Sequence, residues 1–244
     1  MFADACHEEA GRRLEQIGLA ARRLPLVSAP FPIWLIRTPD DIPAALTELL
    51  SINEKDRASH FLLPHLYRRY VGAHGAMRLL CETYFQITAR NQHFAYGCAN
   101  KPYLAGIGDA QCNLSYSGNF AIIGVSQGNP IGVDLERRRS LEDADELSNL
   151  HYSEAERRAM NRAGRLGHDR DSAFLRIWVK KEACLKAIGC GLTLPLNEIS
   201  CGMRSRGAPV RFGKQQIRTG VLHICDRFDF SSPCDLLVGW AQLD

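Results

Sequence analysis

Residues 178–192 read "WVKKEACLKAIGCGL", which has the apolar spacing of an amphipathic helix and ends at glycine. One stripe of this helix carries Leu175, Trp178, Glu182 and Lys186, so an acid and a base lie beside two large apolar side chains. A solvent-exposed Glu–Lys pair at this spacing contributes only about 0.2–0.5 kcal/mol and needs no function. At the border of a buried face, carboxylates acquire raised pKa values or bind metals, so this helix is a candidate active-site element.

The composition is that of a globular protein. Of 244 residues, 45% are hydrophobic and 23% are charged, and the net charge of +3 disfavours a general nucleic-acid binder. Nine cysteines occur without a CxxC pair, which favours small buried thiols in a reducing compartment over a zinc site. The charged stretch "GRRLEQIGLAARRLP" and the absence of an apolar run near ~20 residues predict neither a signal peptide nor a membrane span. We therefore expect a cytoplasmic protein without membrane or nucleic-acid partners.

The first half of the chain reads as strand and helices. Residues 7–24 show helical periodicity with arginine pairs at 12–13 and 22–23, which predicts a basic surface helix. "IWLIRT", from residue 33, predicts a strand.

Residues 51–87 read as helix with an interruption near Pro64. Ser51, with Glu54 three residues on, forms a capping signal at the start of this region. Arg78 lies off the apolar stripe and is expected to be available to solvent or a ligand.

The second half repeats this order. "FAIIGVS" and "PIGVDLE" are β-rich runs separated by "QGN", which predicts a hairpin. A helix capped by Ser153, with Glu156 three residues on, and a helix over 172–188 precede the final strands. Strand, helices and strands thus occur twice, which predicts an α+β fold with two similar subdomains. The predicted organisation is an N-terminal extension with a basic helix at 1–30, a first subdomain at 31–127 and a second at 128–244.

The strand "GVDLE" at 132–136 places Asp134 and Glu136 on one face, because side chains alternate along a strand. Their repulsion is relieved by a divalent metal, by the arginines at 137–139, or by solvent at an exposed strand end, which is the commoner case. Together with Glu182 and Lys186 they fit a magnesium site that holds a phosphoanhydride, since Mg²⁺ takes few oxygen ligands and completes its shell with phosphates and water.

The combination of "GVDLE" with "WVKKEACLK" resembles the two signature motifs of Sfp-type 4′-phosphopantetheinyl transferases. Members carry a G-(I/V)-D-x-E strand and a (W/F)-x-x-K-E-(A/S)-x-x-K helix, and this chain is similar to the W-x-x-K-E-A subgroup. Five further segments of this chain resemble family segments and occur in the same order, upstream of these motifs or between them. They are "LLSINEKDRASHF", "LYRRYVGAHGAMRLL", "NKPYL", "CNLSYSG" and "LHYSEAE". The resemblance spans residues 33–200.

The resemblance implies a pseudo-twofold pair of similar α+β subdomains with the active site in the cleft between them. It implies magnesium-dependent transfer of the 4′-phosphopantetheine arm of coenzyme A to a serine of an acyl, polyketide or peptidyl carrier protein. Adenosine 3′,5′-bisphosphate is the other product. A monomer is expected, because two fused halves complete the cleft.

The motif match also implies roles for individual residues. Mg²⁺ is expected at Asp134, Glu136 and Glu182, and Glu182 also activates the carrier serine. Lys186 is the second catalytic residue and contacts the pyrophosphate, as does the magnesium held by Asp134. The remaining coenzyme-binding residues implied by the match are Arg57, Arg69, Lys101, Pro102, Ser115 and Tyr116.

The chain departs from the family pattern at two informative positions. Tyr116 stands where the family usually has histidine, and a phenol donates a hydrogen bond but brings no imidazolium charge. Cys190 replaces a common lysine, which is expected to weaken recognition of an acidic carrier. Two alternatives stay open: a coenzyme A or carrier-binding relative that has lost catalysis, and a metal-dependent nuclease. The four-residue spacing of Glu182 and Lys186 on a helix and the small net charge speak against the nuclease.

Overall fold

The structure is a computed structural model that describes residues 2–25, 29–97, 101–108, 110–167, 169–189, 191, 194–204, 209–212, 215–227 and 233–244. Two halves follow one another along the chain, and each has a four-stranded antiparallel sheet and one long helix. Within the described ranges, no helix combines the length and apolar character needed to cross a membrane.

The first half contains four helices and six strands within the described ranges. In chain order these are α1 (Phe2–Gln16), β1 (Ala21–Arg23), β2 (Ile33–Arg37), α2 (Ala44–Leu49), α3 (Ile52–Ser59), α4 (Pro64–Phe85), β3 (Phe94–Tyr96), β4 (Pro102–Leu104), β5 (Ala110–Ser117) and β6 (Phe120–Gln127). The sheet has the order β1-β2-β6-β5, while β3 and β4 form a separate ribbon. The predicted interruption near Pro64 is confirmed, since this proline is the first residue of α4, where its missing N–H breaks no helical hydrogen bond.

The second half is arranged around a sheet of order β7-β10-β9-β8. Its elements are β7 (Ile131–Arg137), α5 (Ala144–His151), α6 (Glu154–Arg165), α7 (Arg170–Ile188), β8 (Val210–Phe212), β9 (Gln215–Arg227) and β10 (Pro233–Leu243). The predicted end of α7 is confirmed: Gly189 has φ +81°, a left-handed conformation that glycine adopts without steric cost.

The two halves share one topology. In the first sheet β6 lies between β2 and β5, and in the second sheet β10 lies between β7 and β9. In both cases the last strand of the half therefore pairs with an early strand on one side and with the strand just before it in sequence on the other. Each long helix follows a shorter one that begins with a capping box, at Ser51 with Glu54 and at Ser153 with Glu156. The predicted α+β fold with a pseudo-twofold pair of subdomains is thus confirmed.

The two sheets pack against each other, and each long helix covers the outer face of its own sheet. In β2, Ile33 and Leu35 enter the core between the sheets, whereas Trp34 and Ile36 enter the core under α4. Both faces of this strand are therefore buried, which explains its uninterrupted apolar sequence. Full burial of each such side chain contributes roughly 1.5–3 kcal/mol.

The predicted hairpin between "FAIIGVS" and "PIGVDLE" is wrong. Both segments are strands, but β6 lies in the first sheet and β7 in the second. The edges of β6 are already hydrogen-bonded to β2 on one side and β5 on the other, so no edge is left for β7. The short "QGN" connection therefore joins the two halves.

The helix predicted over residues 7–24 is also wrong in its second part. α1 ends at Gln16, and Gly18 follows with φ +80° while the amide of Leu19 bonds back to the carbonyl of Leu14. The second arginine pair lies on β1, where Arg22 and Arg23 pair with β2. Local periodicity missed this edge strand because its pairing partner lies further along the chain.

Candidate active site

Helix α7 lies directly on the backbone of the second sheet. A Cβ at Gly132 of β7 would be 2.0 Å from the carbonyl oxygen of Ala183, and one at Gly239 of β10 would be 2.1 Å from that of Val179. Only glycine permits this approach. The contact brings the part of α7 that carries Glu182 to β7, beside the acids of "GVDLE".

Lys186 and Asp134, both predicted site residues, form an ion pair. The Nζ of Lys186 donates to Oδ1 of Asp134 at 2.7 Å and to Oγ of Ser115 at 2.9 Å. Ser115 in turn donates to the same oxygen of Asp134 at 2.9 Å. These three side chains come from β5, β7 and α7, so the centre of the site joins both halves of the molecule.

The alternating polar residues of "NLSYS" hold β5 against β7. Oδ1 of Asn113 accepts a hydrogen bond from the amide of Val133 at 2.8 Å. Oγ of Ser117 donates to Glu136 at 3.4 Å and accepts from the amide of Arg137 at 3.1 Å. Side chains thus replace backbone pairing between these strands, and the family motif has a structural reason as well as a chemical one.

Two of the three predicted metal ligands pair with cations. Asp134 pairs with Lys186, and Oε2 of Glu136 accepts from Arg139 at 2.7 Å. The carboxylate oxygens of the three acids do not all lie within 4.8 Å of one another. Burial, and then the charge of Asp134, raise the pKa of Glu182 to about 7, with Lys186 opposing and Glu136 adding to this rise.

The chemistry of this donor set fits a magnesium ion. All three ligands are hard carboxylate oxygens from neighbouring elements, and their mutual repulsion is what a dication relieves. For Glu136 to join such an ion, its side chain has to turn away from Arg139. The fit therefore rests on the donors present and on their charge.

A cavity of about 310 Å³ next to Lys186 contains most of the predicted coenzyme-binding residues. Four of these, besides Lys186, are on its wall: Arg57, Pro102, Ser115 and Tyr116. It adjoins a second cavity of about 310 Å³ that shares Glu54, Arg57, Phe94 and Tyr96 with the first. The two together form a cleft that runs from Ser115 and Lys186 to α3, and we call this the cleft below.

The remaining predicted arginine, Arg69, lies beside the cleft. Its guanidinium carbon is 4.5 Å from the centre of the Tyr116 ring, a cation–π contact. Arg57 is exposed and lies 5.7 Å from the ring of Tyr70. Two guanidinium groups are thus presented where an anionic ligand can reach them.

Lys101, implied by the motif as a coenzyme-binding residue, contacts two backbone carbonyls. Its ammonium donates to the backbone carbonyls of Ile131 at 3.1 Å and Ala187 at 3.0 Å, between β7 and the end of α7. Burial lowers the pKa of Lys101 to about 8. The side chain joins two elements of the site, whereas Pro102 next to it lines the cleft.

Sequence reasoning missed several residues of the cleft and misplaced one. Arg78 was expected to be available, but it is 2% exposed, and its Nε donates to Glu54 at 2.6 Å. His74 stacks on Tyr70 with ring centres 4.0 Å apart and lies 3.5 Å from Glu54. The helical stripe hid these residues, because α3 rather than the sheet covers that side of α4.

Two lysines of the helix motif are fully buried and hold the helix in place. Lys181 pairs with Glu156 at 2.8 Å and donates to the carbonyl of Leu196 at 2.6 Å. Lys180 donates to carbonyls of the 201–204 loop. They support α7 from the side opposite the acids. The turn residue Cys190, expected to affect carrier recognition, lies outside the described residues.

The chain is similar in sequence to 4′-phosphopantetheinyl transferases. Residues 130–228 match the family model of the 4′-phosphopantetheinyl transferase superfamily. The chain is 30% identical over 190 residues to the 4′-phosphopantetheinyl transferase HetI of Nostoc sp., a match that covers 74% of this chain and 77% of that protein. It is 27% identical over 173 residues to the 4′-phosphopantetheinyl transferase Sfp of Bacillus subtilis, covering 65% of this chain and 74% of that protein.

A more distant match extends to an animal protein. The L-aminoadipate-semialdehyde dehydrogenase-phosphopantetheinyl transferase of Xenopus laevis is 27% identical over 158 residues, which are 60% of this chain and 51% of that protein. The chain belongs to the 4′-phosphopantetheinyl transferase family. The predicted family, and with it the predicted transferase class of enzyme, are confirmed.

Proposed function

We propose that this enzyme uses coenzyme A as donor and Mg²⁺ as cofactor, and that it transfers the 4′-phosphopantetheine arm to a serine of a carrier protein. The observation that carries the proposal is the junction of Asp134, Ser115 and Lys186 at one end of the cleft. There an acidic group suited to a metal adjoins a cavity lined by cationic side chains. A pyrophosphate bridging the two fits this arrangement.

Magnesium would be held by Asp134 and Glu182, with Glu136 joining after it leaves Arg139. When bound, the ion supplies charge that stabilises the pyrophosphate oxygens as the bond breaks. Lys186 reaches both Asp134 and the cleft, so its ammonium can offset the charge that develops on the leaving phosphate.

Glu182 is the proposed base for the carrier serine. Burial and the charge of Asp134 raise the pKa of Glu182 to about 7 without a metal, and a bound cation would favour its charged form, which can accept a proton. The serine oxygen forms a bond to the β-phosphorus of coenzyme A, and its proton passes to Glu182. The bond from this phosphorus to the bridging oxygen breaks, and adenosine 3′,5′-bisphosphate leaves.

The distal part of coenzyme A is proposed to lie in the cleft, against Arg57, Arg69 and Tyr116. These groups are remote from the reacting phosphorus, so they contribute affinity rather than rate. The proposed role of Lys101 is to hold β7 and the end of α7 together, because its ammonium donates hydrogen bonds to a backbone carbonyl of each.

The acceptor is an acyl, polyketide or peptidyl carrier protein, and the active unit is proposed to be a monomer. β5, β7 and α7 all come from one chain and complete the centre of the site. The division of the chain into residues 1–30, 31–127 and 128–244, the cytoplasmic location and the lack of nucleic-acid and membrane partners stay predictions.

The test is the intact mass of an apo carrier protein after incubation with the enzyme, coenzyme A and Mg²⁺. We expect the carrier to gain one phosphopantetheine arm and the gain to vanish in EDTA. Glu182→Gln should slow transfer at least about 1,000-fold, because the amide is neither a base nor a charged ligand. The matched control Glu154→Gln, on the exposed face of α6, should label at the normal rate.

Two results would contradict the proposal. Full activity of Glu182→Gln would remove the catalytic assignment while leaving the reaction itself intact. No labelling of several acyl and peptidyl carriers by the unmodified protein, despite coenzyme A binding, would instead support a relative that binds the coenzyme without catalysis.

A further inference from the structure

A second group of metal-ligand side chains lies on β9 and β10 of the second sheet and shares no residue with the acids of the active site. His223 and Cys225 are on β9, and Asp235 is on β10 directly opposite Cys225. Because alternate residues of a strand share a face and opposite residues of paired strands are neighbours, all three side chains project from the same side of the sheet. One potential ligand atom from each lies within 4.8 Å of the other two.

This spacing is close to that of an occupied tetrahedral site. Ligand distances of about 2.0–2.3 Å place neighbouring ligand atoms about 3.4–3.6 Å apart around zinc. Nε2 of His223 and Oδ1 of Asp235 are 2.6 Å apart, so a metal would replace this hydrogen bond. His223 and Cys225 are both exposed, so their side chains have room to rotate towards a metal without displacement of the strand pair.

The donor set selects a different ion from the active site. Imidazole, thiolate and carboxylate together favour zinc or a similar transition metal, whereas magnesium prefers oxygen ligands alone. Three protein ligands leave a fourth position for water, as in open zinc sites.

Side chains around the group orient one ligand and set its charge. Nη1 of Arg138 donates to Oδ2 of Asp235 at 3.2 Å, which leaves Oδ1 directed to His223. The same guanidinium pairs with Asp169, the N-cap residue of α7, at 2.8 Å. The negative charge of Asp169 offsets the positive charge of Arg138. The carboxylate of Asp235 therefore gives the cluster one net negative charge while the thiol of Cys225 is still protonated. This charge favours a cation.

We propose that His223, Cys225 and Asp235 bind one Zn²⁺ ion, separately from the magnesium site. The ion would cross-link β9 to β10 and, through Arg138, connect to β7 and to the start of α7. Leu237, two residues beyond Asp235, pairs with Glu136, so the site stabilises the end of the sheet that carries this acid. The spacing of cysteines along the chain did not indicate this group, because one ligand comes from the neighbouring strand.

The experiment is a Co²⁺ titration of the full chain after metal removal, followed by the thiolate-to-cobalt charge-transfer band. We expect one Co²⁺ per chain to give this band and Zn²⁺ to displace it. Cys225→Ser should abolish the band, and His223→Ala should weaken binding at least about 10-fold. Cys6→Ser, at a half-buried thiol of α1, is the matched control and should keep the band.

A second measurement separates this site from the active site. Carrier labelling in Mg²⁺ without zinc should proceed at the normal rate in Cys225→Ser and His223→Ala, and Zn²⁺ should raise the melting temperature of the unmodified protein but not of these variants. Absence of a thiolate band in the unmodified protein, or an undiminished band in Cys225→Ser, would overturn the proposal. Loss of labelling in both variants would contradict two separate sites.

Discussion

Each half of the molecule contains a buried ion pair between a capping-box glutamate and a cation of the long helix, but the surroundings of the two pairs differ. In the first half, Glu54 and Arg78 are joined at 2.6 Å and both line the cleft. In the second half, Glu156 and Lys181 are 2.8 Å apart and their side chains are at most 1% exposed. The same kind of ion pair therefore borders the cleft in the first half and supports helix α7 in the second half.

The halves also differ in how closely the long helix approaches its sheet. α7 contacts the sheet backbone at Gly132 and Gly239, whereas large side chains such as Met77 and Ile123 separate α4 from the first sheet. Close contact fixes the position of Glu182 and Lys186 relative to β7. The first half, with side chains in between, instead has space for a cavity next to α4.

The largest expected effect comes from disturbing the close contact. Gly132→Ala should destabilise the protein by about 5 kcal/mol, more than ordinary overpacking, because the obstructing atoms belong to the backbone of α7. Denaturant unfolding measures this loss. Gly164→Ala is the matched control: no atom lies within 4 Å of the added methyl on α6, so a gain of about 0.5–1 kcal/mol is expected. Similar stability of the two variants would refute the close packing.

Breaking the buried ion pair between Lys181 and Glu156 is expected to have the next largest effect. Lys181→Met leaves the charge of Glu156 buried without its partner, which should cost about 3–4 kcal/mol in the free energy of unfolding. Adding Glu156→Gln should recover part of this loss, since the uncompensated charge is then removed. Chemical denaturation of the single and double variants checks both values. A Lys181→Met variant as stable as the unmodified protein would show that this pair does not support α7.

The pair at the cleft gives a smaller and pH-dependent effect. Burial alone would raise the pKa of Glu54, but the His74 ring, the Ser51 amide and Arg78 together lower it from 4.5 to about 2. A lowered folded-state pKa stabilises the fold above pH 4.5, and this contribution is lost as the pH falls from there towards 2. Glu54→Gln should therefore cost roughly 3 kcal/mol at pH 7 and progressively less below pH 4.5.

Unfolding curves over this pH range test the prediction for Glu54. The gap between the variant and the unmodified protein should narrow on acidification. Coenzyme A affinity should also fall in Glu54→Gln, because Arg78 loses its charged partner at the cleft and keeps only the carbonyls of Ala89 and Gln92. A stability difference that is constant with pH would mean that the carboxylate charge is not the source of the effect.

The smallest expected effect concerns the aromatic wall of the cleft. Tyr116→Leu removes the ring face that holds Arg69, a contact worth about 0.5–1 kcal/mol at an exposed site, so KM for coenzyme A should rise about 2–5-fold with kcat unchanged. Tyr116→Phe keeps the ring and should behave almost like the unmodified enzyme. Steady-state kinetics distinguish them. A large loss in Tyr116→Phe would assign the role to the hydroxyl instead of the ring.

Most of the fold and the centre of the site could be predicted along the chain. Capping boxes at Ser51 and Ser153, the proline that begins α4 and the glycine that ends α7 are local signals, and each lies where it was expected. Asp134 and Lys186 were recognisable because strand and helix motifs carry their residues at fixed spacing. Both side chains contact Ser115, which belongs to a third segment that resembles the family.

Other features depended on partners distant in sequence. The assignment of β6 and β7 to different sheets follows from competition for strand edges, which no local pattern records. Arg78 looked available and Lys101 was implied as a coenzyme-binding residue, yet tertiary packing directs Arg78 to Glu54 and Lys101 to backbone carbonyls.

By itself the sequence determined most of the helices and strands, the two-part α+β organisation and the candidate acids and lysine of the site, because helix caps, strand alternation and motif spacing act over a few residues. Tertiary structure alone decided which cations face the cleft, which acid has its pKa raised to about 7, and which residues of β9 and β10 meet. Burial and the charges of neighbouring elements control these properties, and both arise only when distant segments pack together.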